Sequence, residues 1–192
     1  MMIHSLLLYS ADLISTFPLV IYFSLLYNFI INPKKNKVDL VLFISEMLGA
    51  FLVKLLKKIE YPMPFYKLTR RPKGSSNCDY LSRNGPSKKN APGFPSGHMN
   101  SVSIFAAFMI FSKYYVSQEK DILKFISKNF LFLVANIGIV ALTAFARYYK
   151  KCHSILQIVC GTLLGTIIGY LTFLICKKTK LLEGNSHKLI KF

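Results

Sequence analysis

The chain has 192 residues, is 53% hydrophobic and carries a formal net charge of +17. A mean hydropathy of +0.40 argues against a soluble globular domain and fits a small polytopic membrane protein. The charge alone would admit nucleic acid as a partner, but no basic, non-apolar domain is present to bind it. The Lys and Arg residues sit in the links between apolar runs and in the tail, as expected for loops near anionic headgroups and for a site taking an anionic substrate.

A membrane-crossing helix needs about 20 mostly apolar residues. Stretches 13–31, 38–56, 99–115, 125–145 and 154–176 fit this, so the expected fold is an all-α polytopic membrane helical bundle of five spans in a single domain, 1–192. Residues 3–10 either lengthen the first helix or form a separate interfacial turn, and six spans is the alternative. The first basic residue is Lys34, so no positive n-region precedes the first apolar run, which is expected to stay as an anchor. Asp12, at the edge of that run, reads as interfacial. Glu46, in the middle of the second, reads either as a partner for a site cation or as a polar bond between helices.

The link 57–94 is long and rich in Pro, Gly, Ser, Asn and Lys, and both its ends carry motif residues, so it reads as an active-site loop. A basic tail, 177–192, follows the last span. Cys160 and Cys176 lie in an apolar run as packing residues. Cys78 and Cys152 lie in polar links and would be bridged only on an oxidising side; reduced thiols are the default expectation. Lys34, Lys35 and Lys37 follow a start without basic residues, which puts the N-terminus outside. The motif-bearing links then share a lumenal or extracytoplasmic face.

Three short motifs stand at the edges of apolar segments: Arg71-Pro72, then Pro95-Ser96-Gly97-His98, then Arg147 followed after five residues by His153. Ser96 is a good N-cap where loop becomes helix. Free N–H groups at such an end bind anions, and Gly97 lets a phosphate approach the backbone. His98 projects from the first turn. His153 opens the fifth span, with Gln157 four residues on and on the same face, where its amide oxygen can accept the Nδ1–H and fix the tautomer. Taken singly, each motif has a plainer reading as a turn, an interfacial histidine or a topology-setting cation. It is their combination that is informative.

In order and spacing these motifs resemble the type 2 phosphatidic acid phosphatase/haloperoxidase superfamily, whose signature is K-x6-R-P, P-S-G-H and S-R-x5-H-x3-D. The resemblance runs from about Lys54 to Gly169. It implies that His153 attacks phosphorus to give a phosphohistidine and that His98 protonates the leaving oxygen. It also implies that Arg71, Arg147, Ser96 and the Gly97 N–H hold the phosphoryl oxygens. No metal or other cofactor is implied. The expected substrate is a lipid phosphate or diphosphate.

Three positions depart from the signature. Ala146 replaces its serine. Gln157 replaces its aspartate, as in dolichyl-diphosphatase-like and glucose-6-phosphatase-like branches, and the stretch from His153 to Gly161 resembles theirs. On orientation alone, Gln157→Asp is expected to preserve or raise activity. The signature lysine would fall on Pro64. An insertion around residues 61–64 would let Lys54, Lys57 or Lys58 serve instead, and Lys58 is the one chosen, against a competing reading of all three as positive caps on a membrane helix. The alternatives in function are a catalytically weak lipid-phosphate-binding member and a phosphotransferase, which would use the same residues.

Overall fold

The computed structural model describes residues 2–60, 62–63, 65–76, 78 and 91–183, with side chains from residue 7 onward. The middle of the long loop and the end of the basic tail lie outside them. Eight helices are present among the described residues. They are α1 (Met2–Ile14), α2 (Phe17–Ile31), α3 (Lys37–Leu56), α4 (Phe65–Thr69), α5 (Gly97–Ser117), α6 (Ile122–Lys128), α7 (Phe130–Tyr149) and α8 (Ile155–Lys178). The all-helical expectation holds, and the only β pairing among the described residues is an isolated bridge between Arg70 and Pro92.

Two element boundaries differ from the sequence reading, each for a local reason. The N-terminal apolar stretch is broken at Ser15–Thr16. The Thr16 hydroxyl donates to Leu13 O, and Pro18 lies in the first turn of α2, where its missing N–H costs nothing. The fourth apolar stretch is split at Asn129. Asp121 caps the short α6 by accepting from the Leu123 and Lys124 N–H groups, and α7 starts afresh at Phe130.

Among the described residues, three stretches are long and apolar enough to cross a membrane: Leu7–Ile31, Phe130–Tyr149 and Ile155–Lys178. Helices α3 and α5, of 20 and 21 residues, have the length but carry more polar side chains. Those side chains point inward. Glu46, Asn100, Ser101 and Ser103 are buried, while Phe23, Leu131, Ile137 and Leu163 are exposed. Polar inside and apolar outside is the arrangement a bilayer favours. Glu46 is fully buried, with Ser101 of α5 among the groups that act on its carboxylate.

Helix α5 occupies the centre, packed on α2, α3, α7 and most extensively on α8. The α5–α8 contact is parallel and rests on glycines spaced four apart. A Cβ at Gly161, Gly165 or Gly169 would collide with the carbonyl oxygens of Ser96, Asn100 and Ile104 respectively. Small residues at this spacing let two backbones approach closely. Helix α3 runs antiparallel to α5, with Gly49 against Asn100 and Ile104, and Val53 against Gly97. The ends of α3 and α7 and the starts of α5 and α8 therefore gather at one end of the bundle.

Gly165→Ala should accordingly destabilise the protein by about 1–3 kcal/mol, the usual cost of overpacking. Gly138→Ala, on α7, where an added Cβ meets nothing within 4 Å, should be neutral or slightly stabilising. Unfolding midpoints of the two variants in the same detergent would check this, and equal midpoints would contradict the close α5–α8 approach.

Candidate active site

Gln157 organises the gathered end of the bundle. The capping box at the start of α8 requires it: the Ser154 hydroxyl accepts from the Gln157 N–H at 3.4 Å, and Gln157 Oε1 accepts from the Ser154 N–H at 3.3 Å. Its Nε2 donates to two loop carbonyls, Leu68 O and Arg70 O, each at 2.8 Å. Two carbonyls cannot face an amide oxygen, so these bonds fix which end of the amide faces the histidine. Oε1 lies 3.1 Å from His153 Nδ1. The neutral imidazole therefore carries its proton on Nδ1 and donates it to Oε1. The Nε2 lone pair is left available.

The same residue ties two motifs together through its backbone, since Gln157 O accepts from the Ser96 N–H at 3.1 Å. Ser96 caps α5, its hydroxyl accepting from the Met99 N–H at 3.5 Å. Its expected N-cap role is realised, and the side chain is fully buried. The next residue, Gly97, has only an ordinary contact to gain from a Cβ, with Val53 at 3.6 Å. Packing among the described residues therefore does not demand glycine there.

The ends of the long loop are held beside Gln157. Arg71 N–H donates to Ala91 O and Gly93 N–H to Thr69 O, at 2.9 and 2.8 Å. Gly93 is required sterically, because a Cβ would fall 2.6 Å from Gln157 Oε1 and 3.1 Å from the Arg71 side chain. Arg70 turns away to stack on Tyr66, with its guanidinium carbon 4.2 Å from the ring centroid. Arg71, in contrast, bears on His153 electrostatically.

Arg147, on the last turn of α7, is fully buried. Its carbonyl accepts from the Cys152 and His153 N–H groups at 3.0 and 3.4 Å, fixing the approach to α8. Lys151, with φ of 53°, reverses the chain in the left-handed region, so that five residues suffice between Arg147 and His153.

Burial holds both imidazoles well below the usual histidine range, and the neighbouring cations act in the same direction. For His153 these are Arg147, Lys57 and Arg71, opposed by the hydrogen bond to Gln157. For His98 they are Arg147, Lys57 and Lys150, with His153 itself also contributing. The structure thus brings His98, His153, Arg71 and Arg147 into one electrostatic neighbourhood, with Ser96, Gly97 and Gln157 bonded or adjacent to it.

Among the described residues, the lysine whose charge reaches both histidines is Lys57, the C-cap of α3. Lys58, chosen from the sequence, is not among the charges acting on either one. On a helix end, adjacent residues point about 100° apart, and sequence spacing could not separate them.

Three further features depart from the default sequence reading. Cys78 and Cys152 are bridged, with Cα atoms 5.5 Å apart, where reduced thiols were the default expectation. Asp12 is more than an interfacial residue, since its Oδ1 accepts from Lys150 Nζ at 2.6 Å. The third is the anchoring of the loop by Gln157, which changes what a carboxylate there would do. Aspartate or glutamate would turn an acceptor toward the Leu68 and Arg70 carbonyls.

Gln157→Asp, expected from orientation alone to preserve or raise activity, should instead lower it by about 10- to 100-fold, matching about 1–3 kcal/mol for buried groups left unpaired. Steady-state phosphate release by Gln157→Asp and Gln157→Glu would measure this. Full activity in the Asp variant would show that orienting the imidazole is the whole of the residue's role.

Comparison with known proteins agrees with this geometry. No curated protein and no solved structure matches the chain. The model of the PAP2 superfamily matches residues 37–180, which takes in Arg71, Ser96, Gly97, His98, Arg147, His153 and Gln157. Membership supports phosphatase-type activity on phosphate esters and accords with the helical membrane fold. The chain belongs to the PAP2 superfamily.

Proposed function

We propose that the protein is a membrane phosphatase that hydrolyses a lipid phosphate or diphosphate through a phosphohistidine on His153. An isoprenyl diphosphate of the dolichyl type is the first choice and a phosphatidate-type monoester the second. The observation that carries this reading is the fixed tautomer of His153. Gln157 Oε1, 3.1 Å from Nδ1, holds the proton on that side and leaves Nε2 as the nucleophile.

In the first step the Nε2 lone pair attacks phosphorus and the bond from phosphorus to the leaving oxygen breaks. His98, protonated, gives its proton to that oxygen. In the second, neutral His98 takes a proton from water, whose oxygen attacks phosphorus. The P–N bond breaks, inorganic phosphate leaves, and His153 regains its neutral form. Arg71, Arg147, Lys57 and the Gly97 N–H hold the non-bridging oxygens, where the transition-state charge is spread. Lys57 here takes the place first given to Lys58, because it is the lysine that acts on both imidazoles.

The substrate preference rests on charge. Lys57, Arg71, Arg147 and Lys150 each depress at least one histidine. Four cations acting on one site suit a diphosphate better than a monoester. The apolar exterior supports a lipid tail held in the bilayer, with the phosphate at the ends of the helices. A lumenal or extracytoplasmic site is part of the proposal, since a Cys78–Cys152 bridge persists in an oxidising compartment.

Two tests follow. Protein quenched in alkali during turnover of 32P-labelled polyprenyl diphosphate should retain acid-labile label. His153→Ala should lose both label and turnover, and His98→Ala should slow poor leaving groups most, by about 10²–10⁴. Undiminished turnover in His153→Ala would overturn the mechanism.

The second concerns protons. In the unliganded site His98 is neutral at pH 7, because burial and its neighbouring cations lower its pKa. An anion beside it offsets those cations and raises it again. Binding of sulfate, which does not itself titrate near neutrality, should therefore take up about one proton. Calorimetry in buffers of differing ionisation enthalpy would detect it, and binding without uptake would require another acid.

A further inference from the structure

Arg147 is aimed from two sides by groups that the phosphatase motifs do not include. At one side its Nη1 donates to Ser15 Oγ at 3.1 Å, across 132 residues of sequence. Ser15 sits in the break between α1 and α2. Its hydroxyl proton is committed to Ala11 O at 2.7 Å, so its oxygen presents a lone pair to the guanidinium. Ser15 is 1% exposed. Three residues earlier, Asp12 holds Lys150, and Lys150 lies three residues beyond Arg147. The end of α1 thus grips the end of α7 with two side chains on one helical face. Residues 2–31 lie outside the 37–180 family match.

At the other side, Arg147 Nη2 donates to Cys78 O at 2.6 Å. The position of that carbonyl is set by the disulfide to Cys152, and the Cys152 N–H donates back to Arg147 O at 3.0 Å. The contacts close a ring: the Arg147 side chain to Cys78, Cys78 through sulfur to Cys152, and Cys152 to the Arg147 backbone. A guanidinium is a planar fork that binds a phosphate well only in the right plane, and hydrogen bonds at both terminal nitrogens fix that plane.

We infer that Ser15 and the Cys78–Cys152 bridge are positioning elements for Arg147. Anion binding at this site would then depend on a segment preceding the family match and on an oxidised bridge. This rests on the reading of the site as a phosphate-ester site. Opening the bridge frees the Cys78 carbonyl and also loosens the residue before His153, so reduction would weaken the site without removing any group that touches substrate.

The experiment uses the full chain in nanodiscs, with two readouts: sulfate affinity by calorimetry, and phosphate release from a polyprenyl diphosphate with its inhibition by orthovanadate. Ser15→Ala should weaken sulfate binding by about five- to tenfold, the loss of one hydrogen bond, and raise KM and the vanadate inhibition constant in parallel. Ser15→Thr, which keeps the hydroxyl, should stay within about twofold of wild type on the same grounds. Reduced wild type, with the opened bridge verified by alkylation and mass, should weaken similarly and recover on reoxidation. Cys78→Ser with Cys152→Ser should start at the reduced level and ignore reductant.

A merely structural role would lower the active fraction, and hence kcat, at unchanged sulfate affinity, and that result would overturn the inference. So would unchanged affinity in both Ser15→Ala and the double Cys variant. If oxidised wild type binds sulfate yet releases no phosphate, the hydrolase reading fails and the clamp is judged on affinity alone. If it binds no sulfate at all, both fail.

Discussion

The site depends on one side-chain amide. Gln157 is bonded at once to His153, to both ends of its own capping box and to two carbonyls of the long loop, and its backbone receives the first N–H of the P-S-G-H turn. Each bond removes one freedom. The carbonyls fix the amide, the amide fixes the imidazole tautomer, and the capping box fixes where α8 begins. Buried networks of this kind are worth most when every member is satisfied. Here the donors and acceptors of the amide are used with correct polarity.

Close helix packing carries that local order across the bundle. Parallel α5 and α8 touch through Gly161, Gly165 and Gly169, so the starts of both helices lie at one level. That shared level lets the Ser96 N–H reach Gln157 O and places His98 within electrostatic reach of His153. Larger residues on the α8 stripe would move the helices apart and separate two motifs that are more than fifty residues apart in the chain.

What could be read from the sequence and what could not divide on physical grounds. Periodic apolar runs with polar flanks gave α3 and α8 nearly to the residue, because hydropathy changes sharply at their ends. The break at Ser15 was missed because hydropathy barely changes there, whereas Ser127, Lys128 and Asn129 do mark the second break and a span started at Phe125 ran through them. In the site, short-range geometry was legible: Ser96 as a cap, and Gln157 one turn from His153. Long-range pairing was not. Nothing in a single sequence joins Ser15 or Cys78 to Arg147, or Asp12 to Lys150, and choosing Lys57 over Lys58 needs the direction of a side chain at a helix end.

The departure from the family aspartate has a physical account. A carboxylate opposite His153 would stabilise the imidazolium character of a phosphorylated ring better than an amide does. It could not, however, donate to Leu68 O and Arg70 O, and the loop that carries Arg71 hangs from those two bonds. Burial and the cations Arg147, Lys57 and Arg71 disfavour a protonated His153, which keeps its imidazole neutral in the unliganded site. An aspartate would raise that pKa and favour a protonated ring, which has no lone pair for the proposed attack. In a site this rich in cations, an amide that orients the ring and donates to the loop meets both demands.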